Sequence, residues 1–519
     1  MSKCNDKQER ELDLELPEYM TKGGPGDKSG PGVVDTSKWF KGQLDPTNWN
    51  YRPFVIEEGS IGQQAKDQEI FFCDIPFTQL YMEMSGNYSA CCFGAQADGQ
   101  YGLPDHNVKN TTLKEWMLDS DYMNQIRKEM LDPKSDLKMV SKTCWRCIAD
   151  EKRYGRSRRT ACMKIHTQDA EFWDAIERSV LMFKATGQYE FEERIIEVQL
   201  KVYGDECNLD CYMCLHTNSS TRQQVAKKGV WSDEIFGETA YSSAFEGGAK
   251  KTFTKKNVED MIQQTVELAP FIRSIKIIGG EPLIMKKHYE LLQRLIDIGQ
   301  SKNIFIKYQT NFTETKAGKH NIFNYIPHFR NVSMVASVDG VGKTIEYMRR
   351  RTDWNKVLEN VEICKKYPNV VVDFNGLVSF LSVMRFYEVI DYCLERPELV
   401  DQINWAMLEN PIHLRVNNLP EKIKQNLIPK YEKWPDIQAA LRKPADEGVN
   451  IQDTFQYLLK QDKFYEGTKW ESHLFEVFPE LEEFYDPTKH RDHNEQAKIF
   501  QKWDQSVKEA EEASDTSII

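Results

Sequence analysis

The sequence predicts an α/β protein in which six βα units build a parallel sheet, either curled into a partial (β/α)6 barrel or left flat. A small cysteine-rich unit precedes the sheet and a helical extension follows it. Two patterns lead to this reading. From residue 195 onward, short runs of alternating or β-branched apolar residues recur at roughly 30–40-residue intervals, the length of a βα unit. Between them lie stretches with the 3.6-residue periodicity of amphipathic helices. A third observation concerns chemistry: Cys207, Gly279, Asn311, Asp339 and Asn375 all fall at or just past the ends of predicted strands. Ligands collect at the carboxyl ends of the strands in either form of the sheet.

In chain order, residues 1–70 form an arm whose KGGPGDKSGPG stretch favours mobility over packing. Residues 71–170 hold the cysteine-rich unit. The sheet spans 190–410, with strands expected at 195–202, 274–280 (SIKIIGG), 304–311, 331–340, 370–379 and 400–408. Helices are expected at 288–300, 355–367 and 385–396, where Cys364 and Cys393 read as buried thiols. The insertion 215–252 reads as a long loop, either a lid over the strand ends or a neutral insertion. The extension 411–519 is aromatic-rich and helical, ending in an acidic tail expected to fray. Its His490 and His493 read as surface residues more readily than as a metal pair.

Composition narrows the class. The chain has 519 residues, a net charge of −12 and 40% hydrophobic content, and it contains no apolar run long enough to span a membrane. No nucleic-acid or membrane partner is therefore expected. The charged start MSKCNDKQER has no apolar signal core, and the expected location is cytoplasmic. Nine of the twelve cysteines lie between Cys73 and Cys214, a clustering that suits metal or cluster ligation in a reducing compartment better than a disulfide scaffold.

The stretch CNLDCYMC carries three cysteines, Cys207, Cys211 and Cys214, on one loop. Thiolates are soft ligands for zinc, copper(I) or iron–sulfur clusters. Structural zinc takes four closed ligands, and His216 could supply a fourth. A four-iron cluster held by three cysteines keeps one iron open. The spacing C-x3-C-x2-C after the first strand of a βα repeat resembles the radical S-adenosylmethionine (radical SAM) superfamily.

That resemblance implies a partial (β/α)6 barrel, a catalytic 4Fe–4S cluster on Cys207, Cys211 and Cys214, and S-adenosylmethionine on the open iron. It also implies reductive cleavage of the cofactor to a 5′-deoxyadenosyl radical that abstracts a substrate hydrogen. Gly279-Gly280-Glu281-Pro282 resembles the superfamily's GGEP motif, whose glycines permit close approach to the cofactor and whose carboxylate can accept from its ammonium group. Asn311 and Ser337 stand where members contact ribose or the methionine part. Arg349 resembles the arginine that holds the cofactor carboxylate, with Arg350 and Arg351 as neighbours that could take that role or form a solvated basic helix end. Met213 departs from the usual aromatic residue beside adenine, a packing role that a thioether can fill.

A second constellation lies upstream: Cys73, Cys91, Cys144 and Cys147, with C-x2-P-F at 73–77, Gly86 and a C-x2-C step. It resembles the SPASM or twitch auxiliary-cluster module of many radical SAM enzymes, which implies a second iron–sulfur cluster. Cys92 or Cys162 could replace one ligand, and a four-cysteine zinc site is the alternative. The order is unusual, because the module normally follows the barrel. The resemblances together cover about residues 75–405. They imply a peptide or protein substrate modified by oxidation, crosslinking or epimerisation, and an electron donor such as flavodoxin or ferredoxin. A small-molecule substrate such as a nucleotide or sugar, and a non-catalytic iron–sulfur electron carrier or redox sensor, are the alternatives.

Overall fold

The computed structural model describes residues 70–489, except 84, 93, 95–102, 155–156, 168, 202, 215–217 and 228–253. The N-terminal arm with Cys4, His216, most of the 215–252 insertion, the histidines 490 and 493 and the acidic tail lie outside the described residues.

One nine-stranded sheet organises the chain. Its strands are β1 (Gln79–Met82), β2 (Asn87–Ser89), β3 (Leu103–Asn107), β4 (Ile196–Leu200), β5 (Ile272–Ile277), β6 (Phe305–Thr310), β7 (Asn331–Ser337), β8 (Val370–Val378) and β9 (Gln402–Met407). They lie in the order β9-β8-β7-β6-β5-β4-β1-β2-β3. β4 to β9 pair in parallel, as the repeat predicts. The fold is thus α/β with a largely parallel central sheet, an architecture consistent with a radical SAM barrel.

The strand sequences explain the layering. Buried and half-buried residues alternate strictly along Val370–Val378, the signature of a sheet with one fully covered face. Val198, Ile275, Ile306, Val332 and Val372 share that face and belong to the core. Helices α7 (Lys255–Glu267), α8 (Lys286–Asp297), α10 (Trp354–Cys364) and α11 (Phe386–Glu395) contribute buried stripes to the same core. In α8 these are His288, Tyr289, Leu291, Leu292 and Leu295, spaced for one helical face. Each large aliphatic or aromatic side chain so buried contributes about 1.5–3 kcal/mol. Cys364 and Cys393 are buried in α10 and α11. The opposite face carries Glu197, Ser274, Lys276, Lys307, Gln309, Ser333, Asn375 and Asn404; Gln309 is exposed. This polar face leads up to the carboxyl-end loops.

The cysteine-rich region does not stand apart from the sheet. β1 pairs in parallel with β4, matching Gln79 to Glu197 and Met82 to Leu200, and so adds a seventh parallel strand beyond the six expected. At four residues, QLYM is too short to show a period. Helices α1 (Leu113–Leu118), α2 (Asp121–Leu131), α3 (Lys138–Tyr154), α4 (Arg158–His166) and α5 (Ala170–Thr186) complete this region. Phe72 meets Trp173 edge-on and Phe77 meets Phe183 the same way, so α5 packs on the segment that enters β1. The short helix α6 (Ser220–Lys227) follows the CNLDCYMC loop, and α9 (Lys343–Met348) precedes the three arginines. After the sheet, α12 (Glu421–Leu427), α13 (Pro435–Arg442) and α14 (Ile451–Tyr465) form the extension. No helix among the described residues is long and apolar enough to cross a membrane.

His166, at the end of α4, ties this region to the sheet by bonding Asp74 through Nδ1 and facing Glu197 at 3.6 Å through Nε2. Burial disfavours the charged ring, but the two carboxylates outweigh it and push the pKa up to about 9. A histidine with a raised folded pKa stabilises fully below its unfolded value of about 6.5 and loses that contribution as pH rises through the folded value. Global stability should therefore fall between about pH 6.5 and 9, by on the order of 2 kcal/mol from this group. Chemical denaturation across that range checks it: the decline should flatten in His166→Gln, and an equally steep decline in that variant would contradict the assignment.

Candidate functional site

The CNLDCYMC loop follows the carboxyl end of β4 and is held from three sides. Its Asp210–Cys211 segment pairs antiparallel with Arg349–Arg350, and the Tyr212 amide donates to the Met348 carbonyl at 3.1 Å. The first turn of α6 receives the loop's other end. The Cys207 amide donates to Ser220 Oγ at 3.1 Å, and Thr221 Oγ1 donates to the Cys207 carbonyl at 2.6 Å. Cys211 is buried, and Cys207 and Cys214 are half-buried. Burial pushes the Cys207 thiol up to about 12 and that of Cys211 further, with the other loop thiols reinforcing the shift. Arg349 acts in the opposite direction on Cys211, with Nη1 3.8 Å from its sulfur. Metal binding replaces such protons with the metal's own charge.

The GGEP turn after β5 packs against the segment that leads into the cysteine loop. A Cβ on Gly279 would lie 2.7 Å from the Gly204 carbonyl oxygen, and one on Gly280 would lie 2.4 Å from that of Glu206. Both glycines are therefore required by backbone contact with residues 204–206, whereas the sequence reading assigns their small size to cofactor approach. Glu281 is engaged by protein donors. It is fully buried, and its carboxylate accepts from Leu283 N at 3.0 Å, Thr310 Oγ1 at 2.6 Å and Asn311 N at 2.6 Å. Those bonds brace the GGEP turn against the end of β6. Burial pushes its pKa up to about 7 against the pull of these donors. Pro282 opens a short 3-10 turn, where its missing N–H costs nothing.

Asn311 joins the cysteine loop directly. Its Nδ2 donates to Asn208 Oδ1 at 2.9 Å, Asn208 Nδ2 donates to Thr313 Oγ1 at 2.7 Å, and Thr313 Oγ1 donates to Asn311 Oδ1 at 2.7 Å. Ser337 ends β7 opposite Asn375, and Met213 is buried beside the thiols in sequence. The three arginines separate cleanly. Arg349 Nε donates to buried Asp339 at 2.8 Å, and its Nη2 has no protein partner among the described residues. Arg350 turns to the extension, bonding Asp462 at 2.5 Å and the Ser472 carbonyl at 2.7 Å. Arg351 lies over the Tyr465 ring with a left-handed φ of 77°. They are not a solvated helix end. Asp339, committed to Arg349 and the Leu377 amide, is a structural acceptor.

Sequence reasoning missed the back of the loop. Asp210 is fully buried and receives Arg222 Nη1 at 3.1 Å, Gln461 Nε2 at 3.2 Å and Tyr465 OH at 3.1 Å. Gln461 Nε2 also donates to the Asp210 carbonyl at 2.8 Å, and Arg222 and Tyr457 both donate to that of Tyr212. Helix α14, more than 240 residues downstream by the separation of these pairs, therefore clamps the cysteine loop. Of this cluster only Asp210 lies inside the motif, and its partners Arg222, Tyr457, Gln461 and Tyr465 carry no local signal.

The upstream cysteines line a cavity. Cys73, Cys91, Cys144 and Cys147 border it with Ile75, Pro76, Ala90, Thr143, Arg158 and Arg159. Cys144 and Cys147 sit one turn apart on α3, Cys73 precedes the Ile75–Thr78 turn, and Cys91 follows β2. Burial raises the Cys73 and Cys144 thiols, with the neighbouring thiols adding to it. Cys92 and Cys162 do not border this cavity. Burial pushes Cys162 up to about 12, opposed by Arg158, while the Cys92 amide reaches Gln79 Oε1. This set lies level with the starts of β1 and β4, at the opposite end of the parallel strands from the CNLDCYMC loop. A five-residue strand separates those ends by about 16 Å.

The donor chemistry can be tested against the groups the sequence implies. A single zinc gathers four sulfurs at about 2.3 Å from one point. Among the described residues, no group of three or more His, Cys, Asp or Glu is gathered tightly enough to hold one metal ion. Thiols spread around a cavity fit a polynuclear iron–sulfur group, and no disulfide among the described residues consumes them.

Residues 202–393 match the family model described as "Radical SAM superfamily". Curated proteins give no match. Among solved structures, the chain resembles Streptococcus suis SuiB bound to S-adenosylmethionine, at 13% identity over 51% of this chain and 50% of that one, with a TM-score of 0.29. SuiB bound to the precursor peptide SuiA gives 12% identity over 63% and 58%, with a TM-score of 0.30. TYW1 with a lysine–pyruvate adduct gives 14% over 44% and 70%, with a TM-score of 0.24. The chain thus spans about half the length of SuiB in the first comparison. Members of the superfamily are enzymes that use a 4Fe–4S cluster and S-adenosylmethionine, and residues 202–393 of this chain are similar to that superfamily's domain.

Proposed function

We propose that the protein is a radical SAM enzyme whose catalytic 4Fe–4S cluster is held by Cys207, Cys211 and Cys214, leaving one iron for S-adenosylmethionine. The observation that carries this reading is the convergence of the three-thiol loop, the GGEP turn, Asn311 and Arg349 at the carboxyl ends of parallel strands. When bound, the cluster and cofactor supply a 5′-deoxyadenosyl radical that takes hydrogen from a substrate. This chain's residues bind and orient. Arg349 presents Nη2 toward an anionic group while Asp339 fixes its other edge. Asn208, Asn311 and Thr313 hold the loops after β4 and β6 together. Glu281 sets the GGEP turn as a brace, and the cofactor's ammonium group is left to backbone acceptors there. Met213 and Ser337 flank the bound cofactor, and the sheet curls as a partial barrel around it.

The second part of the proposal is an auxiliary iron–sulfur cluster on Cys73, Cys91, Cys144 and Cys147. Its place at the amino ends of the strands favours passing electrons or stapling the fold over direct contact with a substrate at the carboxyl ends. The substrate is a peptide or protein, the reaction an oxidative modification, crosslink or epimerisation, and a small electron-transfer protein supplies the reductant.

Anaerobic reconstitution should give about eight irons per chain, four for each cluster, and 5′-deoxyadenosine on reduction with the cofactor. Cys211→Ala should abolish that product, whereas Cys147→Ala should retain slow uncoupled cleavage. Iron-replete, reduced protein that neither binds nor cleaves the cofactor would end the proposal. The clamp behind the loop makes its own prediction. Asp210→Asn leaves buried Arg222 without its carboxylate, which should cost about 3 kcal/mol and lower iron content by about four per chain. Unchanged stability and iron loading in that variant would show that α14 does not set the loop.

A further inference from the structure

The polar face of the sheet holds a charge arrangement that the cofactor roles above do not use. Lys276 of β5 and Lys307 of β6 stand directly opposite one another on adjacent parallel strands. Neighbouring strands lie about 4.8 Å apart, and like charges so placed oppose folding. Lys307 has a partial counter-charge in Glu197 at 3.6 Å, but that carboxylate also accepts from Ser274 Oγ at 3.1 Å and faces His166. Lys201 is taken by Glu83 at 2.7 Å. Lys276 has no carboxylate partner among the described residues. Burial, and then the nearby cations Arg158, Lys307 and Lys201, lower its pKa, with only the Cys92 thiol acting the other way. Position gives this pair its meaning. Lys276 precedes Gly279 by three residues, about 10 Å along the strand from the GGEP turn. It therefore sits just below the place where the cofactor would lie, on the face that also carries exposed Gln309.

We propose that Lys276 and Lys307 form an anion-binding subsite that receives a carboxylate or phosphate group of the substrate. Such a group would accept hydrogen bonds from both ammonium heads and relieve their mutual repulsion. Calling the ligand a substrate rests on the radical SAM reading; the anion site itself does not. The subsite fixes one end of the substrate about a strand-turn away from the carboxyl-end loops. It selects peptides that carry an acidic residue, a chain-terminal carboxylate or a phosphorylated side chain over neutral ones.

The test uses the reconstituted full-length chain with inorganic phosphate and glutarate as separate probes at constant ionic strength. Titration calorimetry and thermal shift should reveal saturable binding of at least one probe, and the stronger probe identifies phosphate or carboxylate as the group. Lys276→Met and Lys307→Met should each weaken binding at least tenfold, Lys276→Arg should restore it, and Lys422→Met at the surface should leave it unchanged. Without a probe, Lys276→Met should melt no lower than the wild type, because it removes a repulsion. Absence of saturable binding by either probe, or wild-type binding in both methionine variants, overturns the subsite. 5′-Deoxyadenosine formation by the wild type in the same preparations separates the two ideas. Cleavage without anion binding sinks only the subsite, and anion binding without cleavage sinks only the enzymatic reading.

Discussion

Two residues of the cysteine loop, Asp210 and Cys211, run antiparallel to Arg349 and Arg350, and this short ladder joins otherwise distant parts of the chain. On its front side it places Cys211 beside Arg349, whose other edge is fixed by Asp339. On its back side it turns Asp210 and Arg350 toward the extension, where Gln461, Tyr465 and Asp462 receive them. A loop of eight residues with three thiols would otherwise have wide conformational freedom. Ordering it costs entropy, which these buried charge-assisted bonds offset. The same ladder explains why Arg349 faces the thiols and Arg350 faces away, since successive residues of a strand point to opposite sides; Arg351 leaves the ladder with a left-handed φ of 77°.

The two cysteine sets differ in placement as well as in number. The three-thiol loop stands at the carboxyl ends of the strands, where the GGEP turn and Asn311 meet it. The four-thiol set borders a cavity beside the starts of β1 and β4. A strand length separates those levels, and the polar face with its opposed lysines lies between. The region holding the upstream set is continuous with the sheet through the pairing of β1 with β4.

Much of this was legible in the sequence. The six strands from 196 to 407 are visible because their alternation is strong, and strand ends name the chemistry. The GGEP and CNLDCYMC motifs carry their own spacing. What remained hidden depends on long-range contact. QLYM of β1 is too short for a period to appear, so its addition to the sheet was not readable. Asp210, Arg222, Tyr457 and Gln461 form one cluster across roughly 250 residues, and the last three carry no local pattern. The glycines were recognised, but their contact with residues 204–206 leaves no mark on the motif itself. Glu281 shows the same limit: a carboxylate in a turn reads alike whether it meets a ligand or braces the backbone.

The three-thiol loop is proposed to leave one iron open for S-adenosylmethionine. Electron–nuclear double resonance on the reduced, reconstituted protein addresses this directly, using cofactor labelled with 17O in the carboxylate and 15N in the amino group. Hyperfine coupling from both nuclei to the cluster on Cys207, Cys211 and Cys214 is expected. A spectrum with neither coupling, under conditions where the cofactor is bound, would contradict it.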